Sequence, residues 1–300
     1  MPLSTAILTA FLCLLFGANA VAIKISFQGF GVFTVASIRF AAASAIIALW
    51  AKSTGRPFFV PNYRRIHLLA YSLLFTLQLS LFYSGISRTQ ASRATLIVNT
   101  LPFMILILSH FFLPGDRMTM RKCAGVVLGF LGVALLSLDG GALSADFRVG
   151  DGLCAAATLI WACNTVFLKR FIADIRPFHV VFYSMLAAVP LVSLASAIVD
   201  PLPIIDPTPG ALLGLVYQTL VTAVFGFIAW NTLLQRYGAA SLHTFLFLLP
   251  PVGVALGGLL LNEPVNSHIV ASMACIVAGI ALVHIKGTDA LPVYPSRKHM

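Results

Sequence analysis

The sequence predicts an all-α integral membrane protein in which ten transmembrane helices form two inverted five-helix repeats around a central cavity. Composition is the first of three observations behind this reading. Of the 300 residues, 59% are hydrophobic and 9% are charged, with a mean hydropathy of +0.97, whereas a soluble domain carries about 25% charged residues. The apolar residues also fall into runs close to the roughly 20 residues that cross a bilayer as a helix. Finally, the segment Phe16-Gly17-Ala18-Asn19-Ala20-Val21-Ala22-Ile23-Lys24 returns as Trp161-Ala162-Cys163-Asn164-Thr165-Val166-Phe167-Leu168-Lys169, with each Asn and each Lys displaced by 145 positions (164 less 19). Ala91-Ser92, Thr95 and Pro102 recur in step as Ala240-Ser241, Thr244 and Pro251, and Gly132 as Gly279. A membrane chain built twice from one unit points to transport, because two related halves can rock around a shared site.

Ten apolar runs lie at about 3–23, 32–51, 67–86, 94–113, 123–139, 152–169, 178–199, 210–233, 242–261 and 268–285. Residues 1–139 therefore form a first repeat of five spans and 152–285 a second. Residues 140–151 read as an exposed linker, since Gly140-Gly141 and nearby acids disfavour a helix. Residues 286–300 read as a cytoplasmic tail. The small residues Gly125, Gly129 and Gly132 of the fifth span, and Ala271, Cys275, Ala278 and Gly279 of the tenth, would let helices approach closely within one chain. Pro102 and Pro250-Pro251 each remove backbone hydrogen bonds inside a span. Helix breaks at matching positions of two halves point to a central pathway.

Charge sets the orientation. With the N-terminus inside, Lys24, Arg88, Arg93 and Arg148 fall outside and Arg39 lies within a span. That leaves 14 of the 19 Lys and Arg residues inside (19 less four and one). Retention of Lys and Arg on the cytoplasmic side is the expected bias, so both termini are expected in the cytoplasm. Five spans per repeat make the second copy enter the membrane inverted. The net charge of +10 thus reflects topology and attraction to anionic headgroups. The partners expected are the lipid bilayer and a small-molecule substrate. Basic residues dispersed over short loops argue against nucleic acid, and no oligomer is implied.

Other chemistry finds little support. Cys13, Cys123, Cys154, Cys163 and Cys275 lack paired metal-ligand spacing, so neither zinc nor disulfides are expected, and no cofactor is implied. Ala18-Asn19-Ala20 resembles a signal-peptidase site. However, no Lys or Arg precedes its apolar stretch, and the motif has a second copy in mid-chain. An intramembrane enzyme would need an embedded carboxylate pair or a nucleophile motif, and the acids here all lie in loops or at span ends. A non-transporting scaffold or sensor has no soluble domain to receive a signal.

The candidate substrate cavity is read from polar and aromatic residues inside spans. Asn19 and Asn164 carry most weight, because an amide in hydrocarbon costs several kcal/mol unless bonded. Gln78 and Tyr83 of the third span, Thr95 and Asn99 of the fourth, and Trp161 of the sixth join them. Tyr217, Gln218 and Trp230 of the eighth span and His243 and Thr244 of the ninth complete the set. Aromatic walls with a few amides and hydroxyls suit an amphipathic solute. Lys24 and Lys169 are long enough to snorkel to headgroups. Arg39 is the unusual charge, and Glu263 is the acid expected to form a structural ion pair with it.

Phe16-Gly17-Ala18-Asn19 with Lys24, then Arg39-Phe40, then Ala91-Ser92 before Pro102, resemble the EamA domain of the drug/metabolite transporter superfamily. The second half carries its own copy in Trp161, Asn164, Lys169, Ala240-Ser241, Pro251 and Leu261-Asn262-Glu263-Pro264. The resemblance covers about residues 3–285. It implies a ten-helix carrier whose first, third, fourth, sixth, eighth and ninth helices surround a cavity, with bacterial relatives exporting amino acids, drugs or other metabolites across the inner membrane. Departures are Gly115-Asp116 where Gly-Glu is usual, Asn262 where Gly precedes the acid, and Tyr183-Ser184 where a second Arg-Phe would stand.

The function expected is alternating-access export of small neutral or zwitterionic metabolites, such as amino acids and among them aromatic ones. Carriage of anionic or phosphorylated metabolites is the alternative. It would need cations facing the cavity, and Arg39 is the one clearly embedded.

Overall fold

The computed structural model describes residues 3–112, 118–138, 145–169, 175–237 and 245–284. The described chain is helical and supplies ten helical units, numbered here as spans in chain order. The first is Leu3–Gly17 continued by Asn19–Ser26; the second is Val32–Ser53 and the third Asn62–Arg88. The fourth is Ala91–Val98 and Leu101–Phe112, the fifth Met120–Leu138, the sixth Ala145–Lys169 and the seventh Pro177–Val199. The eighth runs through Pro209–Val216, a π-helix at Tyr217–Gly226 and Phe227–Tyr237. A 3₁₀ turn at Leu246–Leu248 leads into Leu249–Leu261 as the ninth, and Ser267–His284 is the tenth. Seven of these units are long and apolar enough to cross a membrane by length and composition, and Leu246–Leu261 and Ser267–Val283 are shorter apolar helices.

The side chains are distributed as a lipid solvent requires. Leu69, Leu73 and Leu77 stand exposed at four-residue intervals on the third span, while Ser72, Thr76 and Tyr83 of the same helix are buried. The buried hydroxyls return their protons to the helix itself, Ser72 Oγ to Leu68 O at 2.7 Å and Thr76 Oγ1 to Ser72 O at 2.8 Å. An unbonded hydroxyl has no water to turn to in a bilayer.

The closest packing joins the two halves. The third span lies against the sixth, the second against the seventh, the fifth against the tenth, the fourth against the ninth, and the end of the first against the start of the eighth. The small residues of the fifth and tenth spans make the intramolecular contact expected of them. A Cβ on Gly125 would meet Gly279 O at 2.8 Å, and one on Gly279 would meet Gly125 O at 2.7 Å.

One expectation about a boundary changes. Residues 145–151, read as linker, are helical and open the sixth span. Asp146 lies in its first turn, where an acid complements the helix dipole. Gly150 is a contact residue, since its Cβ would meet Gly85 O at 2.9 Å. The breaks at proline are found where expected. The fourth span is interrupted at Asn99-Thr100, just before Leu101-Pro102, and the ninth begins its α-helix at Leu249 with Pro in its first positions. Ala18, between the two helices of the first span, and the π-helix of the eighth were not anticipated.

Candidate functional site

Two irregular or interrupted spans meet at one buried polar cluster. The first span breaks at Ala18, so Asn19 begins a new helical segment. The π-helix of the eighth presents Gln218 and Thr222 toward it. A π-helix carries one extra residue per turn and is often retained where function needs side chains re-aimed. Thr222 Oγ1 lies 2.9 Å from Asn19 Oδ1 and 2.7 Å from Gln218 O, so its single proton serves one or the other. Gln218 Nε2 donates to Ser26 Oγ at 2.8 Å, and Ser26 donates onward to Ala22 O. Tyr83 donates to Gln218 Oε1 at 2.7 Å.

Arg39 completes this cluster and is 3% exposed. Its Nη1 donates to Tyr83 Oη at 3.0 Å and reaches Gln218 Oε1 at 3.5 Å, while Nη2 reaches Thr222 Oγ1 at 3.4 Å. The expected ion pair between Arg39 and Glu263 is therefore not formed. Arg39 lies seven residues into the second span, about 10 Å by helical rise, and turns to the third and eighth spans. Glu263 stays at the end of the bundle. There it accepts from the N–H groups of Ala91 (2.6 Å) and Ser92 (2.9 Å) and from Ser92 Oγ (2.6 Å).

That end of the bundle gathers the other buried charges. Asp200, closing the seventh span, accepts from Phe33 N, Thr34 N and Thr34 Oγ1 at 3.3, 2.7 and 2.8 Å. Its carboxylate fills the space a side chain at Gly31 would occupy. Asp151 accepts from Thr89 Oγ1 at 2.6 Å and pairs with Arg93 at 2.5 Å. Lys24 donates to Thr89 O and lies 3.9 Å from Glu263, so it is engaged in the bundle rather than snorkelling. Three carboxylates of the second half thus hold helix N-termini and cations of the first. Each carboxylate at a helix N-terminus satisfies orphan N–H groups and complements the dipole.

The other expected cavity residues separate into groups. Gln78 is buried with its Oε1 unbonded. Asn164 is buried, donating to Tyr71 O at 3.3 Å while its Oδ1 is unbonded. Thr95 packs its side chain into the space left by Gly253, with Oγ1 unbonded. Asn99 closes its own helix, donating to Thr95 O at 2.8 Å. Trp161 is half-buried. Tyr217 donates to Leu15 O at 2.8 Å, bracing the first span. Trp230 meets the Phe16 ring edge-on at 5.9 Å, beside Leu12 and Leu233 rather than in the cluster. His243 and Thr244 lie outside the described residues. Sequence reasoning missed Ser26, Thr222 as a bridge to Asn19, and Arg39 as the cluster's cation. The last had a signal, a guanidinium inside an apolar span.

The EamA-like transporter family model matches this chain twice, over residues 3–138 and 148–285. A "Probable amino-acid metabolite efflux pump" of Escherichia coli is 29% identical over 274 residues, covering 86% of this chain and 87% of its own length. A "Probable terminal-alkyne amino-acid exporter" of Streptantibioticus cattleyicolor is 26% identical, covering 95% of each. The "Uncharacterized transporter YvbV" of Bacillus subtilis is 24% identical, covering 94% of this chain and 92% of that one. A solved crystal structure superposes with a TM-score of 0.69 at 21% identity, covering 93% of this chain and 96% of its own, a likeness of fold. Two matched domains spanning nearly the whole sequence leave one assignment: this multi-pass membrane protein is not an enzyme and belongs to the EamA-like transporter family.

Proposed function

We propose that the chain is an alternating-access exporter of small neutral or zwitterionic metabolites, such as amino acids. The observation that carries this reading is the buried polar cluster shared by both halves, with Asn19, Ser26, Arg39 and Tyr83 from the first and Gln218 and Thr222 from the second. It forms where the first span is interrupted and the eighth is π-helical, and irregular backbone at membrane depth belongs to binding sites. The substrate class is supported by two relatives, one named for efflux of amino-acid metabolites and the other for export of a terminal-alkyne amino acid.

The two halves act as inverted repeats in this mechanism. Exchanging each span for its counterpart five later turns the first–eighth contact into the sixth–third one, and returns the second–seventh, fourth–ninth and fifth–tenth contacts to themselves. A two-fold axis in the membrane plane gives that pattern. The charged end carrying Lys24, Asp151, Asp200 and Glu263 faces outward, both termini are cytoplasmic, and the protein resides in the inner membrane. Closure of this end by second-half carboxylates corresponds to a state from which a cytoplasmic solute is loaded.

Uptake of labelled amino acids into proteoliposomes of the purified protein, first without and then with a proton gradient, tests the reading. Saturable uptake in either condition supports it. Absence of saturable uptake in both overturns it. Impermeant thiol labelling of single-cysteine variants at the exposed positions Ser87 and Ser53 in cells checks the orientation, with only the former expected to react.

A further inference from the structure

The geometry points to Arg39 as the receptor for a carboxylate group of the transported solute, which makes a free carboxylate a requirement for transport. The inference rests on the transporter reading above and names what the site selects.

Arg39 is a buried cation whose hydrogen-bond partners are all neutral. They are a phenol, an amide oxygen and a hydroxyl, contributed by Tyr83, Gln218 and Thr222. Its guanidinium also lies 5.7 Å from the centre of the Phe40 ring. The buried or half-buried acids near the bundle end are committed elsewhere: Asp200 to the second span, Glu263 to the fourth, and Asp151 to Arg93. Removing a charge from water without an opposite charge is costly by several kcal/mol. A fold retains such a group where an opposite charge arrives from outside.

The bonding deficit is directional. A guanidinium grips a carboxylate with two parallel N–H donors, and one edge that can do so is formed by Nε and Nη2. Nε is buried and has no partner, while Nη2 has one long contact of 3.4 Å. Both distances beyond 3.3 Å lie at the weak edge of hydrogen bonding, where about 2.9 Å is typical. The best-bonded nitrogen is Nη1, held by Tyr83 on the opposite side. Tyr83 therefore orients the guanidinium, and the fork that would receive a carboxylate is underused. Replacement of Thr222 Oγ1 by a solute oxygen as the acceptor for Nη2 would leave the Thr222 hydroxyl donating to Asn19 or Gln218 as before, so arrival of the solute loosens a contact between the second and eighth spans.

One cation also sets the charge class. Lys24 and Arg93 are engaged by Glu263 and Asp151. A single guanidinium matches a monovalent carboxylate, whereas a dianionic phosphate ester would leave a buried negative charge unmatched.

Equilibrium binding to the purified full-length protein tests this independently of transport. The probes are phenylalanine and leucine, each beside its own amide, together with 3-phenylpropionate, phenethylamine and phenyl phosphate. The expected result is that the amino acids bind roughly tenfold or more tightly than their amides, the range for a charged hydrogen-bonded contact. 3-Phenylpropionate should outcompete phenethylamine by a similar factor. Arg39→Gln should bring amino acid and amide to equal affinity, and Arg39→Lys should recover part of the preference. Equal affinity of acid and amide for the wild-type protein overturns the inference, even if the Arg39 variants do not fold. Equal weakening of acid and amide in Arg39→Gln also overturns it, leaving a structural role. Tighter binding of phenyl phosphate would overturn the charge class. Carboxylate-selective binding without saturable proteoliposome flux would reject transport while upholding Arg39 as the receptor; flux without carboxylate selectivity would do the reverse.

Discussion

Glu263, at the close of the ninth span, caps the fourth span of the opposite half by accepting both the N–H and the hydroxyl of Ser92, at 2.9 and 2.6 Å. The pairing is tight because Gly257 leaves no side chain between them: a Cβ there would meet Ser92 Oγ and lie 2.7 Å from Glu263 Oε2. Asn262 makes the approach possible by adopting a left-handed conformation with φ 53°, which Asn tolerates better than most residues.

Glu263→Ala should release this clasp. Loss of a helix cap together with buried charged hydrogen bonds costs about 2 kcal/mol. Thermal unfolding in detergent should show a lower Tm. A cysteine at Thr89 should react faster with an impermeant maleimide in the variant than in the parent. Unchanged labelling with a lowered Tm would confine Glu263 to stability.

Arg93 and Asp151 should behave as a coupled pair. Arg93 is 1% exposed and its partner's carboxylate is 2.5 Å away, so removing Asp151 alone strands a buried cation at a cost of about 3–5 kcal/mol, and removing Arg93 leaves a half-buried carboxylate without its cation. Arg93→Met combined with Asp151→Leu should destabilise less than the sum of the single changes, by at least about 1 kcal/mol. A double-mutant cycle on unfolding free energy measures the coupling.

Two glycines of the sixth span should respond oppositely to alanine. At Gly150 the new Cβ meets Gly85 O at 2.9 Å and Arg88 C at 3.0 Å, both backbone atoms, whereas at Gly152 nothing lies within 4 Å. Gly150→Ala should cost about 1–3 kcal/mol by forcing the third and sixth spans apart. Gly152→Ala should be neutral or stabilise by up to about 1 kcal/mol through helix propensity. Paired Tm measurements decide between this and a hinge role for both.

Gln78 should show stability and function moving in opposite directions. Its amide is buried with an unbonded oxygen, a group that costs about 1–3 kcal/mol to leave unsatisfied. Gln78→Leu should hold or raise Tm. If the oxygen serves the solute, the same change should raise the KM for amino-acid flux several-fold. A lowered Tm with unchanged KM would place Gln78 in packing alone.

Much of this fold was legible in the chain itself. A hydrophobic run has one low-cost solution in a bilayer, the helix, because every backbone group must be bonded within the segment. That is why residues 178–199 read from composition match Phe178–Val199 in the structure. Matching breaks at Pro102 and Pro250-Pro251 were legible for the same reason, since proline lacks the N–H a helix needs. Residues 145–151 were misread because Gly and acids carry the same local signal in a linker as in a helix start packed against Gly85. The π-helix at Tyr217–Gly226 leaves no mark in composition, for one added residue per turn is invisible without the neighbouring spans.

The site was legible in kind but not in pairing. Asn19 stood out because an amide in hydrocarbon needs a partner, yet nothing in sequence indicated Thr222, 203 positions away. Arg39 stood out for the same reason and was matched to Glu263 by sign of charge. In the bundle Glu263 is already committed to the fourth span's N-terminus, and Arg39 lies too deep to compete for it.

The sequence by itself determined the membrane class, the ten helices, their duplication and the types of residue that cannot be left facing lipid. Each follows from solvation, which acts on one segment at a time. Tertiary structure alone decided which carboxylate holds which helix end, which spans cross at glycine, and that Arg39 is surrounded by neutral groups. Those outcomes depend on distances between segments far apart in the chain, where a few ångströms decide whether a charge finds an opposite partner or is left to await one.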